Sequence, residues 1–501
     1  MSALAAYDRL LTQSREAFLL ATTSALLAWD QETNLPKGAG GVRAKQLALL
    51  AQLQHERMVS PRMAESLAAC ESDADLLADA ERAANVRELR RDHDRATKLP
   101  ASLVGELAET ESKAQHAWAA ARSAGDYRRF RPWLDRMIRL QRQKADCLRQ
   151  PGQSRWDALA DLYEPGTTAA GLTALFGRLR ERLTDLRQKA RDGAVGDASF
   201  ARVEVDEARQ EQFVRAVVQS MGFDFQRGRI DRSAHPFCTT TGDDVRLTTR
   251  FRRDNVLDAL GSTMHEAGHG LYEQGLEPAH RGTPLGETCS LGIHESQSRF
   301  WENHVGRSAA FWSWCWPLAQ RTLGTVCNGH TADSVFRSAN VVRPSLIRVE
   351  ADEVTYDLHV MVRFELEREM IDGDLGAPDL PSRWDRLYES YLGIRVPDDR
   401  SGCLQDVHWS CGLFGYFPTY TLGNLYAAQL AAAMDRSLGG LAELLRTGRF
   451  EVVREWLRRN VHRHGRRHRP AELCLLATGS PLSAEPFLQH LERKVAVLHP
   501  G

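Results

Sequence analysis

The chain has 501 residues, and its 65 lysines and arginines nearly balance its 66 aspartates and glutamates, which leaves a formal net charge of −1. This balance argues against a general nucleic-acid binder and an acidic tail, while a hydrophobic content of 43% suffices for a folded core. The sequence has no run of 18 apolar residues and no basic start followed by an apolar segment, so we expect neither a membrane span nor a secretory leader.

The first 200 residues have mainly helical hydrophobic spacing. One apolar stripe contains Leu47 and Leu53. A second stripe, which includes Leu103, begins after Pro100, a residue that favours the first turn of a helix. We interpret the charged segment 81–98 as the solvated face of a helix.

Between residues 230 and 251 the hydrophobic spacing changes to a period of two. Val245, Leu247 and Thr249 alternate with polar residues behind a Thr-Gly-Asp turn, which predicts a short hairpin or small sheet. Helical spacing returns after it. We therefore predict a mainly α fold with a small β-sheet beside the helix that follows, in a single domain over residues 1–501, since no repeat or low-complexity linker divides the chain.

The sequence His-Glu-Ala-Gly-His begins at His265, in a segment of helical spacing that opens at Asn255 and stops at Gly275. Residues four positions apart lie above one another on a helix, so His265 and His269 can aim both imidazoles at one Zn²⁺. Glu266 can then take a proton from a water bound to that metal. This is the interpretation of an HExxH sequence in a metallopeptidase.

Two glycines inside the same helix need an explanation. Gly268 and Gly270 each cost about 1 kcal/mol relative to alanine. Either a substrate or backbone approaches the helix closely beside the metal, or a second helix crosses it tightly. The residues alone leave both explanations open.

A catalytic zinc site needs a third protein ligand and an open position. The extended pattern HExxHxxGxxH is excluded, because Tyr272 and Gly275 stand where it requires glycine and histidine. Glu295 follows His269 by 26 residues and can face the first helix from a second, antiparallel helix, so we predict it as the third ligand. The residues that compete for this role are Glu273, His280, Glu287 and His294.

Several segments carry a family resemblance. HEAGHGLYEQG from His265 and HESQSRFWEN from His294 resemble the carboxypeptidase Taq family of zinc metallocarboxypeptidases. The family's other motifs also occur, in the family's order along the chain: Trp-Asp-Gln-Glu-Thr at Trp29, His-Pro-Phe at His235 and DxRxT at Asp244 before these two segments, and IRxxAD at Ile347 and GxxQDxHW at Gly402 after them. The resemblance covers nearly the whole chain.

This resemblance implies a large saddle-like helical fold with a deep active-site groove, walled by N-terminal helices, and with the catalytic motifs within residues 235–420. It implies a metal-dependent carboxypeptidase that releases single C-terminal residues from peptides, with broad specificity and proline disfavoured. His265, His269 and Glu295 would hold Zn²⁺, or Co²⁺ as in some members, and Glu266 would be the general base. A homodimer is implied as well.

Attack on an amide creates an oxyanion that needs a hydrogen-bond donor besides the metal. Related helical zinc peptidases pair a histidine with a tyrosine twelve positions later, and this spacing joins His408 to Tyr420. We predict these two residues as donors, with Tyr416 in reserve. The neighbouring Phe414 and Phe417 are expected to pack in the core.

Recognition of a C-terminal carboxylate favours arginine, whose planar fork offers two N–H groups at once. Arg348, in the IRxxAD match, is the first choice, with Arg246 and Arg343 as alternatives and His235 as a further substrate contact. Arg348 could instead pair with Asp352, four residues later, and both roles hold if Asp352 orients the guanidinium. The same segment is a candidate source of carboxylates that accept from the zinc histidines.

The remaining features concern partners and location. The basic run 458–469 carries six arginines and three histidines, but no aromatic residue interleaves it, so we expect no nucleic-acid partner. Nine cysteines without a CxxC pair predict reduced thiols in a cytoplasmic protein. Two rival functions are a zinc endopeptidase or dipeptidase with the same site, and a non-enzymatic peptide binder that keeps the fold.

Overall fold

A computed structural model describes residues 2–192 and 198–499 of the chain. In this part the protein is mainly α-helical with one small sheet, as expected. The helices, numbered in chain order, are α1 Ala3–Thr33, α2 Gly40–Met58, α3 Pro61–Glu71, α4 Ala74–Leu77, α5 Ala80–Thr97, α6 Ala101–Ala124, α7 Arg131–Leu148, α8 Arg155–Ala160, α9 Ala169–Asp192, α10 Glu207–Met221, α11 Val256–Gly275, α12 Leu291–Arg299, α13 Ala309–Leu323, α14 Ala332–Ala339, α15 Tyr356–Ile371, α16 Leu380–Leu392, α17 Pro418–Leu438, α18 Leu441–Arg446, α19 Phe450–Asn460, α20 Pro470–Thr478 and α21 Glu485–Leu498. None of the helices described is both long and apolar enough to cross a bilayer.

The sheet has three strands in the order β1-β3-β2: β1 Gly228–Arg232, β2 Cys238–Thr240 and β3 Val245–Thr249. Strand β2 runs antiparallel to β3, with Cys238 opposite Leu247, and this pair is the hairpin expected from the alternating spacing. Strand β1 pairs with β3 in parallel, a partner that alternation within one segment does not predict.

The sheet lies against helix α11 through the buried face of β3. Val245 and Leu247 are nearly inaccessible to solvent, and Thr263 Oγ1 on α11 donates a hydrogen bond to Thr249 Oγ1 at 2.9 Å. Gly270 completes the contact, since a Cβ atom there would lie within 2.9 Å of the Leu247 side chain. The small sheet therefore lies beside the HExxH helix, as predicted.

Contacts along the chain separate two compact units. The first unit contains residues 2–97, 198–339 and 426–481, and the second contains residues 98–192, 340–425 and 482–499. Helix α11 and the sheet belong to the first unit, while the IRxxAD and GxxQDxHW segments belong to the second. The single domain, the saddle shape and the groove stay predictions.

The predicted N-terminal helices are present, but their solvent exposure differs. Helix α6 begins directly after Pro100 and buries Leu103, as expected. Helix α2 contains Leu47 and Leu53, yet Leu53 is 37% exposed, so this apolar stripe does not form a buried face.

The charged segment 81–98 is not simply a solvated face. It forms most of α5, where Glu88 is only 3% exposed. Arg466, from the basic run, donates to Glu88 at 3.0 Å, to Asp92 at 2.7 Å and to Glu287 at 2.8 Å. Burial of one charge is tolerated because a paired charge offsets the lost hydration. In this unit Arg466 therefore serves an internal ion-pair network.

Candidate metal centre

Helix α11 presents the three residues of the HExxH sequence that carry chemistry. Its first turn is capped by Asn255, whose side-chain oxygen accepts from the Asp258 N–H at 3.0 Å. The rings of His265 and His269 lie on the same side of the helix, nearly perpendicular to one another, with centroids 4.9 Å apart. Glu266 is 8% exposed on the same helix.

A close approach of helix α12 explains Gly268. A Cβ atom at this position would lie 2.5 Å from the Gln297 carbonyl oxygen and 2.6 Å from Ser298 Cα, closer than real Cβ atoms approach backbone. The contact favours the helix-crossing explanation over an approach by substrate. It also sets the distance from which α12 can present Glu295 to the two histidines.

The side chain of Glu295 meets both histidines at one point. Its Oε2 lies 3.7 Å from His265 Nε2 and 3.5 Å from His269 Nε2, and the three ligand atoms all lie within 4.8 Å of one another. Two ligands about 2.1 Å from a tetrahedral ion are about 3.4 Å apart, so these distances fit a shared ion better than direct hydrogen bonds. The donor set of two imidazoles and one carboxylate is one that Zn²⁺ accepts.

Hydrogen bonds to the other ring nitrogens turn both Nε2 atoms toward this point. His265 Nδ1 lies 2.9 Å from Glu302 Oε2, and His269 Nδ1 lies 3.1 Å from the His294 carbonyl oxygen. Both partners can only accept, so each Nδ1 carries a proton, and in the neutral form of each ring Nε2 keeps the lone pair that a metal needs. The prediction that the segment with Asp352 supplies these acceptors was wrong. They come from Glu302 and from the His294 carbonyl group.

Two arginines neutralise the carboxylates of this centre. Although burial alone would raise it, the positive charge of Arg299 holds the pKa of Glu295 well below its usual value. The pKa of Glu302 falls to about 2 for the same reason, with Arg307 adding to the effect. Burial lowers the pKa of His269 to about 3, so this ring is neutral, as a metal ligand must be.

Glu266 has a different environment. Burial, reinforced by the charge of Glu295, raises its pKa to about 7 against the opposing influence of His265. A dication bound nearby would favour the ionised form. The residue therefore has the acid–base character that proton transfer near neutral pH requires.

The competing ligand candidates have partners elsewhere in the first unit. His294 lies with its Nε2 3.1 Å from Glu273 Oε1, while its ring stacks on His269 at 4.3 Å. Glu287 accepts from Arg466, and His280 lies 3.8 Å from Glu81. Among the residues described, only His265, His269 and Glu295 form a group able to hold a metal ion.

In the second unit the structure brings His408 and Tyr420 together. His408 Nε2 lies 3.1 Å from Tyr420 Oη, and the Tyr416 ring lies 5.4 Å from the His408 ring. Burial, followed by the charge of Arg348, lowers the pKa of His408 to about 3. Phe414, like Phe417, is fully buried, as predicted.

A buried glutamate braces the loop that carries His408. Glu367 is 0% exposed and accepts from Trp409 Nε1 and from the Gly415 N–H, both at 3.0 Å. Burial raises the pKa of Glu367 to about 8. The carboxyl group thus links α15 to both ends of the segment between His408 and Tyr416.

Arg348 is paired, but not with Asp352. Its Nε and Nη2 donate to Asp406 Oδ1 at 3.0 and 2.9 Å, and its Nη1 donates to Tyr356 Oη at 2.9 Å. Asp352 instead accepts from the N–H and hydroxyl of Thr355. The i+4 pairing fails because the segment forms only a short 3₁₀ turn, Arg348–Glu350.

The other predicted substrate contacts lie in different surroundings. Arg246, in the first unit, donates to Asp244 at 2.7 and 2.8 Å and lies 4.0 Å above the Trp29 ring. His235 and Arg343, in the first and second unit respectively, are exposed.

Four residues with evident roles were missed from the sequence: Arg299, Glu302, Tyr356 and Asp406. The sequence spacing could have indicated two of them. Glu302 follows Glu295 by seven residues, which is two helical turns on one face, and Arg299 lies between them. Asp406 had no such signal, because its pairing with Arg348 joins segments 58 residues apart.

Comparison with known proteins agrees with this geometry. The family model described as carboxypeptidase Taq (M32) metallopeptidase matches residues 9–495. The chain is 44% identical to thermostable carboxypeptidase 1 of Thermus thermophilus, over 99% of each chain, and 36% identical to carboxypeptidase 1 of Bacillus subtilis, over 95% of each. The crystal structure of M32 carboxypeptidase from Deinococcus radiodurans R1 matches with a TM-score of 0.96 and 41% identity over 99% of each chain.

Proposed function

The chain belongs to the carboxypeptidase Taq (M32) family and is a metallocarboxypeptidase, and we propose that it removes single residues from peptide C-termini by attack of a metal-activated water. The observation that carries this proposal is the convergence of His265, His269 and Glu295 on one point. The roles of individual residues and the identity of the metal are part of the proposal.

We propose His265, His269 and Glu295 as the metal ligands and Zn²⁺ as the metal, with Co²⁺ as the alternative. The proposal is supported by the Nε2–Oε2 distances of 3.7 and 3.5 Å and by the two Nδ1 contacts that expose the Nε2 lone pairs. When bound, the metal supplies a Lewis acid that acidifies water and polarises the scissile carbonyl.

Glu266 is the proposed general base. It is adjacent to a metal-ligating histidine on α11, and its pKa of about 7 suits a group that takes a proton from water and returns it to the leaving amine. Glutamate is the residue that the HExxH sequence provides for this step.

His408 and Tyr420 are the proposed donors to the oxyanion, with Tyr416 in reserve. Neutral His408 can carry its proton on Nε2 and donate to Tyr420 Oη at 3.1 Å. In this arrangement Tyr420 Oη accepts from His408, so its own O–H can donate to the developing charge of the substrate. A preformed donor of this kind costs no reorganisation when the charge appears.

Arg348 is the proposed contact for the substrate carboxylate. Asp406 lies between Arg348 and Arg363, with Arg363 Nη2 2.6 Å from its Oδ2, so the buried trio carries one net positive charge. Burial of an uncompensated charge is unfavourable, and a carboxylate would offset it. The three hydrogen bonds of Arg348 leave two of its five N–H groups available to such an anion. Arg246 and His235 stay secondary candidates for contacts along the peptide.

Two further properties rest on the family resemblance: broad side-chain specificity with proline disfavoured, and a homodimeric state. A cytoplasmic location is proposed from the cysteines instead. All nine cysteines are free thiols in the described residues, which supports a reducing compartment. Light scattering at several protein concentrations tests the dimer.

Timed mass spectrometry of one peptide with a free C-terminus and the same peptide amidated tests the proposed function. We expect metal-loaded protein to produce a ladder of single-residue losses from the free C-terminus only, and Glu266→Gln to produce none. Internal cuts in both peptides would instead favour the endopeptidase alternative and remove the role of Arg348. Loss of dipeptides would favour the dipeptidase alternative, and no cleavage at all would favour a binding protein.

A further inference from the structure

Arg299, at the end of α12, lies between two carboxylates of the metal centre. Its Nε donates to Glu295 Oε1 at 2.7 Å, and its Nη1 donates to Glu302 Oε2 at 3.3 Å. The side chain is 13% exposed, and both glutamates are similarly buried. We propose that Arg299 is a positioning residue that limits Glu295 to ligation through Oε2 alone and ties this ligand to the carboxylate that orients His265.

The first half of the proposal follows from the two oxygens of Glu295. Oε2 faces both histidine Nε2 atoms, whereas Oε1 accepts a short, charge-assisted hydrogen bond from Arg299 Nε. A carboxylate with both oxygens free can bind an ion in bidentate fashion and fill an extra coordination position. With Oε1 occupied by a guanidinium, Glu295 contributes one ligand atom and leaves that position for water or substrate.

The second half follows from Glu302. Its Oε2 accepts from both His265 Nδ1 and Arg299 Nη1, while its Oε1 accepts from Arg307 at 3.2 Å. The carboxylate is therefore held at three points. Loss of Arg299 would remove the contact to Glu295 Oε1 and one of the three contacts that hold Glu302. The placement of the ligand Glu295, and part of the hold on the carboxylate that orients His265, therefore depend on one guanidinium.

The geometry requires arginine rather than any cation. The two contacts come from different nitrogens, Nε and Nη1, which the rigid, planar guanidinium holds at a fixed separation. Lysine carries one compact ammonium group and has no fixed fork, so it can neutralise charge without holding both carboxylates in place. This difference separates positioning from simple charge compensation.

The local helix geometry supports the arrangement. Arg299 is the last residue of α12, and the π-helical segment Phe300–Gly306 follows it directly. A π-helical turn is rare and widens the helix. Glu302 lies within this segment, where it reaches the Nδ1 atom of His265 on α11.

The inference rests on the proposed ligand set, and its test uses full-length wild type, Arg299→Lys, Arg299→Met and Arg466→Met. Arg466 is the matched control, because it is also 13% exposed and also bound by carboxylates, but it lies in a different network. Zn²⁺ affinity is measured by competition with a chelator. The coordination number is read from the visible absorption of the Co²⁺-substituted proteins, which is intense for four ligands and weaker for five.

We expect Arg299→Met to bind Zn²⁺ about 10- to 100-fold more weakly and to show the weaker, five-coordinate Co²⁺ spectrum. Arg299→Lys should recover part of the affinity but keep the altered spectrum. Arg466→Met should lower the unfolding temperature while wild-type affinity and spectrum persist.

Three outcomes would count against the proposal. An unchanged Co²⁺ spectrum in Arg299→Met would overturn it, as would equal changes in Arg299→Met and Arg466→Met, or full recovery of the spectrum by Arg299→Lys. If Arg299→Met does not fold, the spectrum of Arg299→Lys decides alone. Failure of the proposed ligand set gives a different result, because a Glu295→Ala variant would then bind Zn²⁺ as tightly as wild type does.

Discussion

Glu302 Oε2 accepts the Nδ1–H of His265 at 2.9 Å, and this contact joins the HExxH helix to the π-helical turn after α12. The carboxylate orients a proposed metal ligand without belonging to the ligand set. Removal of such an outer contact typically weakens metal binding by about 10- to 100-fold.

Replacement of Glu302 by glutamine should weaken Zn²⁺ binding by about 10- to 100-fold, because the neutral amide accepts a weaker hydrogen bond and loses its ion pairs with Arg299 and Arg307. Chelator competition measures the effect. The control is Glu455→Gln, which removes an exposed glutamate paired with Arg458 and should keep wild-type affinity. Equal affinities of wild type and Glu302→Gln would contradict the orienting role.

Two glycines of α11 should respond in opposite directions to alanine. Gly268→Ala places a Cβ atom 2.5 Å from the Gln297 carbonyl oxygen, which forces α12 away and should cost about 1–3 kcal/mol of unfolding free energy as well as metal affinity. Gly261 has no atom within 4 Å of such a Cβ, so Gly261→Ala should stabilise the protein by about 0.5–1 kcal/mol. Thermal unfolding of both variants measures the contrast, and a neutral Gly268→Ala would refute the tight crossing.

The pair His408 and Tyr420 should act as one unit in catalysis. Tyr420→Phe should lower kcat about 10²- to 10³-fold with a small change in KM, since it removes the proposed donor to the oxyanion, which would act mainly in the transition state. His408→Gln should have a similar effect, and the double variant should be far less impaired than the product of the two losses.

A matched tyrosine provides the control for this pair. Tyr391 Oη accepts from Arg180 at 2.7 Å, and Tyr391→Phe should retain wild-type kcat. Multiplicative losses in the double variant would show that His408 and Tyr420 act independently.

Glu367 should make the folded protein less stable as pH rises. Its pKa is about 8 when folded against an ordinary 4.5, so the folded protein keeps a proton that the unfolded chain releases. Between pH 5.5 and 7.5 this difference lowers the free energy of unfolding by roughly 2–3 kcal/mol. Glu367→Gln lacks this contribution.

The comparison of two slopes isolates Glu367 from other titrating groups. Denaturant unfolding of wild type and Glu367→Gln at both pH values should show a steeper loss of stability with pH in wild type. The glutamine is also expected to destabilise at every pH, because its amide has one accepting oxygen, so either Trp409 Nε1–H or Gly415 N–H loses its acceptor. Parallel slopes would contradict the raised pKa.

Helix positions and the HExxH face could be predicted from the sequence because both depend on neighbours within one or two turns. Asn255 caps α11 and Gly275 ends it, and the i, i+4 spacing brings His265 and His269 to one side. The alternation around Leu247 predicted a hairpin for the same reason. The family was recognisable because its motifs are short and occur in order.

The contacts that orient these residues depend on how distant segments pack, and spacing alone does not reveal them. From the sequence, Glu295 was one of five candidates for the third metal ligand. In the structure, the packing of α12 on Gly268 brings Glu295 to both histidines, while His294 contacts Glu273 instead. The sequence likewise suggested Asp352 for Arg348, although tertiary structure selects Asp406 from 58 residues away. Hydrogen bonds act over about 3 Å in space. Local periodicity therefore determines which face a side chain occupies, and only the folded chain decides what it meets there.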